Sequence, residues 1–274
     1  MSSITILGCG WLGFPFARYM IEKGFVVRGS TRDPKKLSIL KNNSIKGFLI
    51  NINPDIKSKK INEFLDSQIL FVNFPPQRRD DIEEYHQLQF SNLINEILKS
   101  SIKKVLFASS TSVYPDTNGI VDEECSLEPE KKSGKALLKV EKMLMNEKKF
   151  ETVIIRFAGL IGYERSPLNS IKKKNLLLNP ETRLNLIHRD DCIKISSEII
   201  EKKIFNVILN ACCDNHPTRK EYYSNEAEKY NIELPDFDES QKTEYKIVDN
   251  KKLKELLRYK FIYPDPCNIP YNYL

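Results

Sequence analysis

The sequence predicts an α/β protein, a doubly wound parallel sheet with helices on both faces. Three observations carry that prediction. Strand and helix signals alternate through the first two-thirds of the chain. Several strands read as near-continuous apolar runs, the pattern of parallel strands covered on both faces. A glycine-rich turn joins the first strand to the first helix. The 274 residues are 41% hydrophobic, which supplies a core large enough for one main domain with a smaller lobe.

Taken in order, Ser3-Ile4-Thr5-Ile6-Leu7 reads as a strand and Trp11 to Lys23 as a helix that Gly24 stops. Phe25 to Gly29 is a second strand. Asp33-Pro34 has the form of a helix start, with Asp as cap and Pro in the first turn. Gly47 to Ile50 and Ile69 to Asn73 are the next strands. A long amphipathic helix covers about Ile82 to Ser100, followed by the strand Lys104 to Ala108. The helix Ser133 to Lys148 and the strand Thr152 to Arg156 close the series. Right-handed crossovers then give a Rossmann sheet. After Gly162 the pattern loosens. Residues 163 to 183 read as irregular with a short helix, Asn185 to His188 and Phe205 to Leu209 as strands, and Pro217 to Tyr230 as a helix before a Tyr- and Pro-rich tail. The expected division is residues 1-164 as the doubly wound domain, with 184-210 returning to it, and 165-183 with 211-274 as a small C-terminal lobe.

Gly8-Cys9-Gly10-Trp11-Leu12-Gly13 stands between a strand and a helix, and that context makes the spacing specific. The first glycine permits a tight turn, the second lets backbone approach a pyrophosphate, and the third lets helix and strand pack closely. The helix start then offers amides and a positive dipole end to a diphosphate. Trp11 and Leu12 belong to the same loop as wall or packing residues. An NAD site places a carboxylate at the end of the second strand. Here Ser30, Thr31 and Arg32 stand there instead, two hydroxyls and a guanidinium suited to a 2′-phosphate. This composition favours NADP, with NAD the competing cofactor. The competing account of the stretch makes Arg32 a surface residue and Asp33 only a helix cap.

With these residues in hand, the sequence resembles the extended short-chain dehydrogenase/reductase family, the NAD(P)-dependent epimerase/dehydratases, over nearly its whole length. Ser109-Ser110-Thr111-Ser112-Val113-Tyr114 is similar to the family's Ser-rich segment. Arg156-Phe157-Ala158-Gly159-Leu160-Ile161-Gly162 is similar to its Arg-containing strand and loop near the nicotinamide. Asn185 to Asp191 and Phe205-Asn206-Val207 resemble two later segments. The resemblance implies cofactor contacts from Phe74 and Pro75 after the fourth strand, and from Ser109, Ala158, Gly159 and Leu160. The family's catalytic pair is Tyr-x-x-x-Lys, in which the Lys lowers the Tyr pKa. Aligned on Gly134 and Glu141, this chain has Ser133 and Leu137 at those positions, so it resembles the atypical members that lack the pair. Ser110 aligns with the substrate-orienting hydroxyl, and a polar strand-end residue facing the cofactor is its competing role. Tyr114 is a replacement acid if it faces the cleft, and a packing residue otherwise.

Arg78 and Arg79 suit an anionic substrate or a diphosphate as well as they suit a surface. His188 precedes Asp190 and Asp191, which reads as acid/base work or as a packed His beside a helix cap. No nucleophile-elbow pattern supports a hydrolase. The six cysteines form no CxxC pair and no zinc spacing, so no metal is expected and reduced thiols are. The net charge of +6 is spread, and runs such as Lys172-Lys173-Lys174 read as solvated faces, which argues against a nucleic-acid partner. No apolar run spans a bilayer and no signal region opens the chain. The expectation is a cytoplasmic monomer or homodimer acting on a small molecule.

Overall fold

In the computed structural model, which describes residues 2–167, 176–240 and 244–271, the apolar runs form a seven-stranded parallel sheet. Its strands are β1 (Ser3–Leu7), β2 (Val26–Thr31), β3 (Lys46–Leu49), β4 (Ile69–Val72), β5 (Lys104–Ser110), β6 (Glu151–Phe157) and β7 (Val207–Ala211). Their order is β7-β6-β5-β4-β1-β2-β3, so β1 lies between β2 and β4. Ile6 stands opposite Gly29 on one side and Phe71 on the other. The order reverses at this point, which places a crevice at the carboxyl ends of β1 and β4. Ile4, Ile6, Leu70, Phe71, Leu106 and Phe107 are fully buried, as strands covered on both faces require.

The helices are α1 (Gly13–Glu22), α2 (Lys36–Asn42), α3 (Ile61–Phe64), α4 (Ile82–Leu98), α5 (Lys132–Asn146), α6 (Arg189–Glu201), α7 (Arg219–Lys229) and α8 (Lys251–Leu257). α1 buries Phe16, Ala17 and Met20, and Phe16 meets Phe71 edge-on at 4.9 Å. Gly24, at φ +82°, ends it as expected. Several boundaries differ from the sequence expectation. α1 starts at Gly13 because Trp11 and Leu12 complete the preceding turn. β2 runs on to Thr31 and β5 to Ser110, which brings the polar residues at both strand ends into the sheet. α2 starts at Lys36: the Asp33 carboxylate accepts from Lys35 N, and the bonds Lys36 N to Asp33 O and Leu37 N to Pro34 O form a tighter turn ahead of the helix.

The chain divides into two compact units. The first is Met1–Val113, Glu128–Arg156 and Ser196–Leu209; the second is Tyr114–Leu127, Phe157–Ile195 and Asn210–Leu274. The second unit thus draws on more of the chain than the segments 165-183 and 211-274 expected for it. It holds three short parallel strand pairs: Gly159–Ile161 with Leu186–His188, Leu176–Leu178 with Asp236–Asp238, and Gly119–Val121 with Lys246–Val248. α7 opens with a reciprocal cap between Thr218 and Glu221. Lys172-Lys173-Lys174 lies outside the described residues. Among the described residues, no helix is long and apolar enough to cross a membrane.

Candidate active site

The site begins at the turn between β1 and α1. Gly8 has φ +108°, and a Cβ there would sit 2.4 Å from Asn73 O. A Cβ on Gly13 would sit 2.1 Å from Gly8 O, but one on Gly10 would meet nothing within 4 Å. The protein's own packing therefore requires the first and third glycines, and leaves the space above the second open. Gly8 N donates to Ser30 Oγ (2.9 Å), Cys9 N donates to Ser30 O (2.8 Å), and Asn73 Nδ2 donates to Gly8 O (3.2 Å). Burial pushes the Cys9 thiol up to about 12. Leu12, at the cap position of α1, gives no side-chain cap, and the first turn holds no acid. The leading amides of a helix have no intrahelical acceptor and carry the positive end of its dipole.

This turn opens on a cavity of about 440 Å³ in the first unit. Gly8, Gly10, Ser30, Thr31, Arg32, Phe74 and Pro75 all line it, so the structure brings these expected residues together. Their states differ. Ser30 is buried and braces Gly8, and the Thr31 hydroxyl is engaged with the backbone of Asp33. Arg32 is exposed, and no carboxylate pairs with it among the described residues. Asp33 also lines the cavity, with its Oδ1 accepting from Lys35 N. Lys36, Ile52 and Gln89 are lining residues that the sequence reading missed. Lys36 carries a readable signal, since it follows Arg32 by four residues at a helix start. Gln89 carries none, because its place depends on how α4 packs. The cradle fits a dinucleotide diphosphate: open space above Gly10, a helix start with no side-chain cap directly after the turn, and Arg32 beside Asp33 just past the end of β2.

A second cavity of the same unit, about 570 Å³, lies between the loop after β4, the end of β5 and the start of α5. Ser110, Ser133 and Leu137 line it together. Ser133 and Leu137, the positions that the resemblance aligns with Tyr and Lys, therefore face the same space as Ser110. Ser110 Oγ accepts from Ser112 N (3.1 Å). Gly134 fixes the start of α5 there, because a Cβ would sit 2.3 Å from Ser112 O. Two turns further along α5, Glu141 is buried and pairs with Arg156 at 2.7 Å, and Ser109 Oγ donates to the same carboxylate at 2.5 Å. Ser109 is thus tied into the sheet-to-helix packing.

Other expected residues lie elsewhere. Leu12 is in the core, and Trp11 is half-buried beside it. Tyr114 is not brought to either cavity: its ring is buried in the second unit and its hydroxyl donates to Asn210 Oδ1 at 2.8 Å. Ala158, Gly159 and Leu160 also belong to the second unit. There Ala158 N donates to Ala211 O, Gly159 N donates to Asn185 O, and Leu160 stands opposite Ile187. In the same unit His188 Nδ1 accepts from Asp190 N at 3.2 Å, and burial lowers its pKa. Asp191 accepts from Tyr259 Oη, Ile262 N and Tyr263 N, so it anchors the C-terminal segment.

Comparison with known proteins agrees with this architecture. A family model described as the NAD dependent epimerase/dehydratase family matches residues 4–202. Protein YeeZ of Escherichia coli (strain K12) is 29% identical over 273 residues, 98% of this chain and 99% of its own length. A conserved protein of unknown function from Silicibacter pomeroyi superposes with a TM-score of 0.80 at 20% identity, covering 97% of this chain and 96% of that one. A UDP-glucuronic acid 4-epimerase from Bacillus cereus, solved in complex with NAD, superposes with a TM-score of 0.81 at 16% identity, covering 97% and 93%. At these identities the two superpositions establish the fold.

Proposed function

The chain belongs to the NAD dependent epimerase/dehydratase family, and from that premise we propose that it binds NADP(H) and acts as an oxidoreductase or epimerase/dehydratase-like enzyme on a small polar or sugar-type substrate. One observation carries this reading: the open glycine turn shares a cavity with Arg32 and Lys36, and the one acid lining it, Asp33, has its Oδ1 accepting from Lys35 N. The amides at the start of α1 would hold the diphosphate, with Trp11, Leu12 and Gly13 in the loop. Arg32 and Lys36 would hold the 2′-phosphate. Phe74 and Pro75 would wall the site. The bound nicotinamide supplies or accepts a hydride at a carbon bearing oxygen. Ser110, its oxygen held by Ser112 N, would orient the substrate oxygen. NAD is the competing cofactor, and the Bacillus cereus epimerase is described with NAD. The six cysteines are free, in keeping with a cytoplasmic protein.

The test uses energy transfer to bound NADPH from Trp11, the only tryptophan. Arg32→Ala is expected to weaken NADPH by about ten- to a hundredfold, the worth of a charge-assisted contact, and to leave NADH unchanged. If NADH binds as tightly as NADPH and Arg32→Ala alters neither, the NADP assignment fails.

A second reading has its own observation. Ser133 and Leu137 line the cavity where the resemblance places Tyr and Lys, and α5 contains no tyrosine. That favours a catalytically silent NADP-binding sensor or partner-binding protein. Turnover of a carbonyl and sugar-nucleotide panel, abolished by Ser110→Ala, is expected only of the enzyme.

A further inference from the structure

The second cavity carries a charge imbalance that coenzyme binding does not use. Arg78, Arg79, Lys131 and Lys132 line it, and no carboxylate does. Two of the acids bordering it hold cations of their own: Asp81 pairs with Arg79 at 2.5 Å and Glu83 with Lys139 at 2.8 Å, while Asp80 and Glu130 are exposed. Arg79 is further fixed by stacking on Tyr85, its guanidinium 3.6 Å from the ring centroid. Arg78, Lys131 and Lys132 form no ion pair among the described residues, and Glu83, which Lys132 also attracts, is already bonded to Lys139. Lys132 Nζ donates to Asp80 O at 3.2 Å, one of its three donors. Like charges gathered over the apolar wall of Pro75, Pro76, Ile82 and Leu137 repel one another, and a bound anion relieves them. Hydroxyls stand among them. Ser110 accepts from Ser112 N and so keeps its hydrogen to donate, and Ser133 lies beside the lysines.

We infer that this cavity takes the phosphate group of a phosphorylated small-molecule substrate, held by Arg78, Lys131 and Lys132 with the hydroxyl of Ser133, while Ser110 is kept for the reacting oxygen. A phosphate monoester carries nearly two charges and three terminal oxygens, which use more of this donor set than a carboxylate does. That the ligand is a substrate rests on the coenzyme-dependent reading above; the cation set itself does not.

Calorimetric titration of glucose 6-phosphate, glucose and gluconate into the full chain, with and without saturating NADP, tests it. Glucose 6-phosphate is expected to bind at least about tenfold tighter than glucose or gluconate, and Arg78→Gln/Lys131→Gln to remove about tenfold or more of that affinity. Lys142→Gln/Lys148→Gln, which removes the same charge from exposed positions outside the cavity, is expected to stay within about twofold. Equal binding of the three ligands, no binding of any, equal effects of the two double variants, or a loss of NADP affinity in place of sugar-phosphate affinity overturns the proposal. NADP failing to bind while the glucose 6-phosphate pattern holds would sink the coenzyme reading and leave the phosphate site supported.

Discussion

At the residue scale, the three glycines of the first turn serve different ends. Gly8 and Gly13 lie against backbone, and Gly10 faces open space. Gly13→Ala is therefore expected to cost about 1–3 kcal/mol of stability as an overpacked contact. Gly10→Ala is expected to leave the urea midpoint unchanged while weakening NADPH. A midpoint loss in Gly10→Ala equal to that in Gly13→Ala would refute the distinction. The spacing of the motif made the glycines legible in the sequence. It did not reveal that Ser30 and Thr31 have engaged hydroxyls, because their partners, Gly8 N and the Asp33 backbone, are set by how strand and turn meet. Tyr114 was equally unreadable: a tyrosine after a strand serves a cleft or a core, and Asn210, which decides for the core, is distant in sequence.

At the element scale, α5 shows what the alignment residues of the resemblance do in this chain. The two residues that anchor the alignment are scaffold: Gly134 seats the helix against Ser112, and Glu141 joins it to Arg156 on β6 and Ser109 on β5. Glu141→Ala takes the pairing carboxylate away from a guanidinium buried at 4% exposure. The expected loss is about 3–5 kcal/mol by urea unfolding, and a loss under about 1 kcal/mol would show the pair to be dispensable. Most of the main strands were legible because their central residues are buried on both faces and so read as apolar runs. The pair Gly119–Val121 with Lys246–Val248 was not, since a three-residue strand with Ile120 71% exposed leaves no apolar run. α8 was missed in a tail whose tyrosines and prolines masked it.

For the molecule as a whole, all three histidines sit below the ordinary imidazole value of 6.5, each chiefly through burial. His86 shows the physical reason. Its Nδ1 faces Gln89 Oε1 at 3.0 Å, and its buried Nε2 has no acceptor for a second hydrogen. With folded values depressed, the unfolded chain takes up protons first as pH falls. The stability they confer is complete above 6.5 and is lost as pH drops below it. Asp191, raised mainly by burial, acts in the opposite direction. Urea midpoints are expected to decline from about pH 7.5 to 5.5; a flat or rising series would contradict this. The interleaving of the two units has a different outcome. Each is assembled from three stretches that alternate along the polypeptide. No single cut releases either as one continuous fragment, and the first cannot finish its sheet until β7 has been synthesised. Emerging from a ribosome, most of this chain must wait, strand edge uncovered, for its last third.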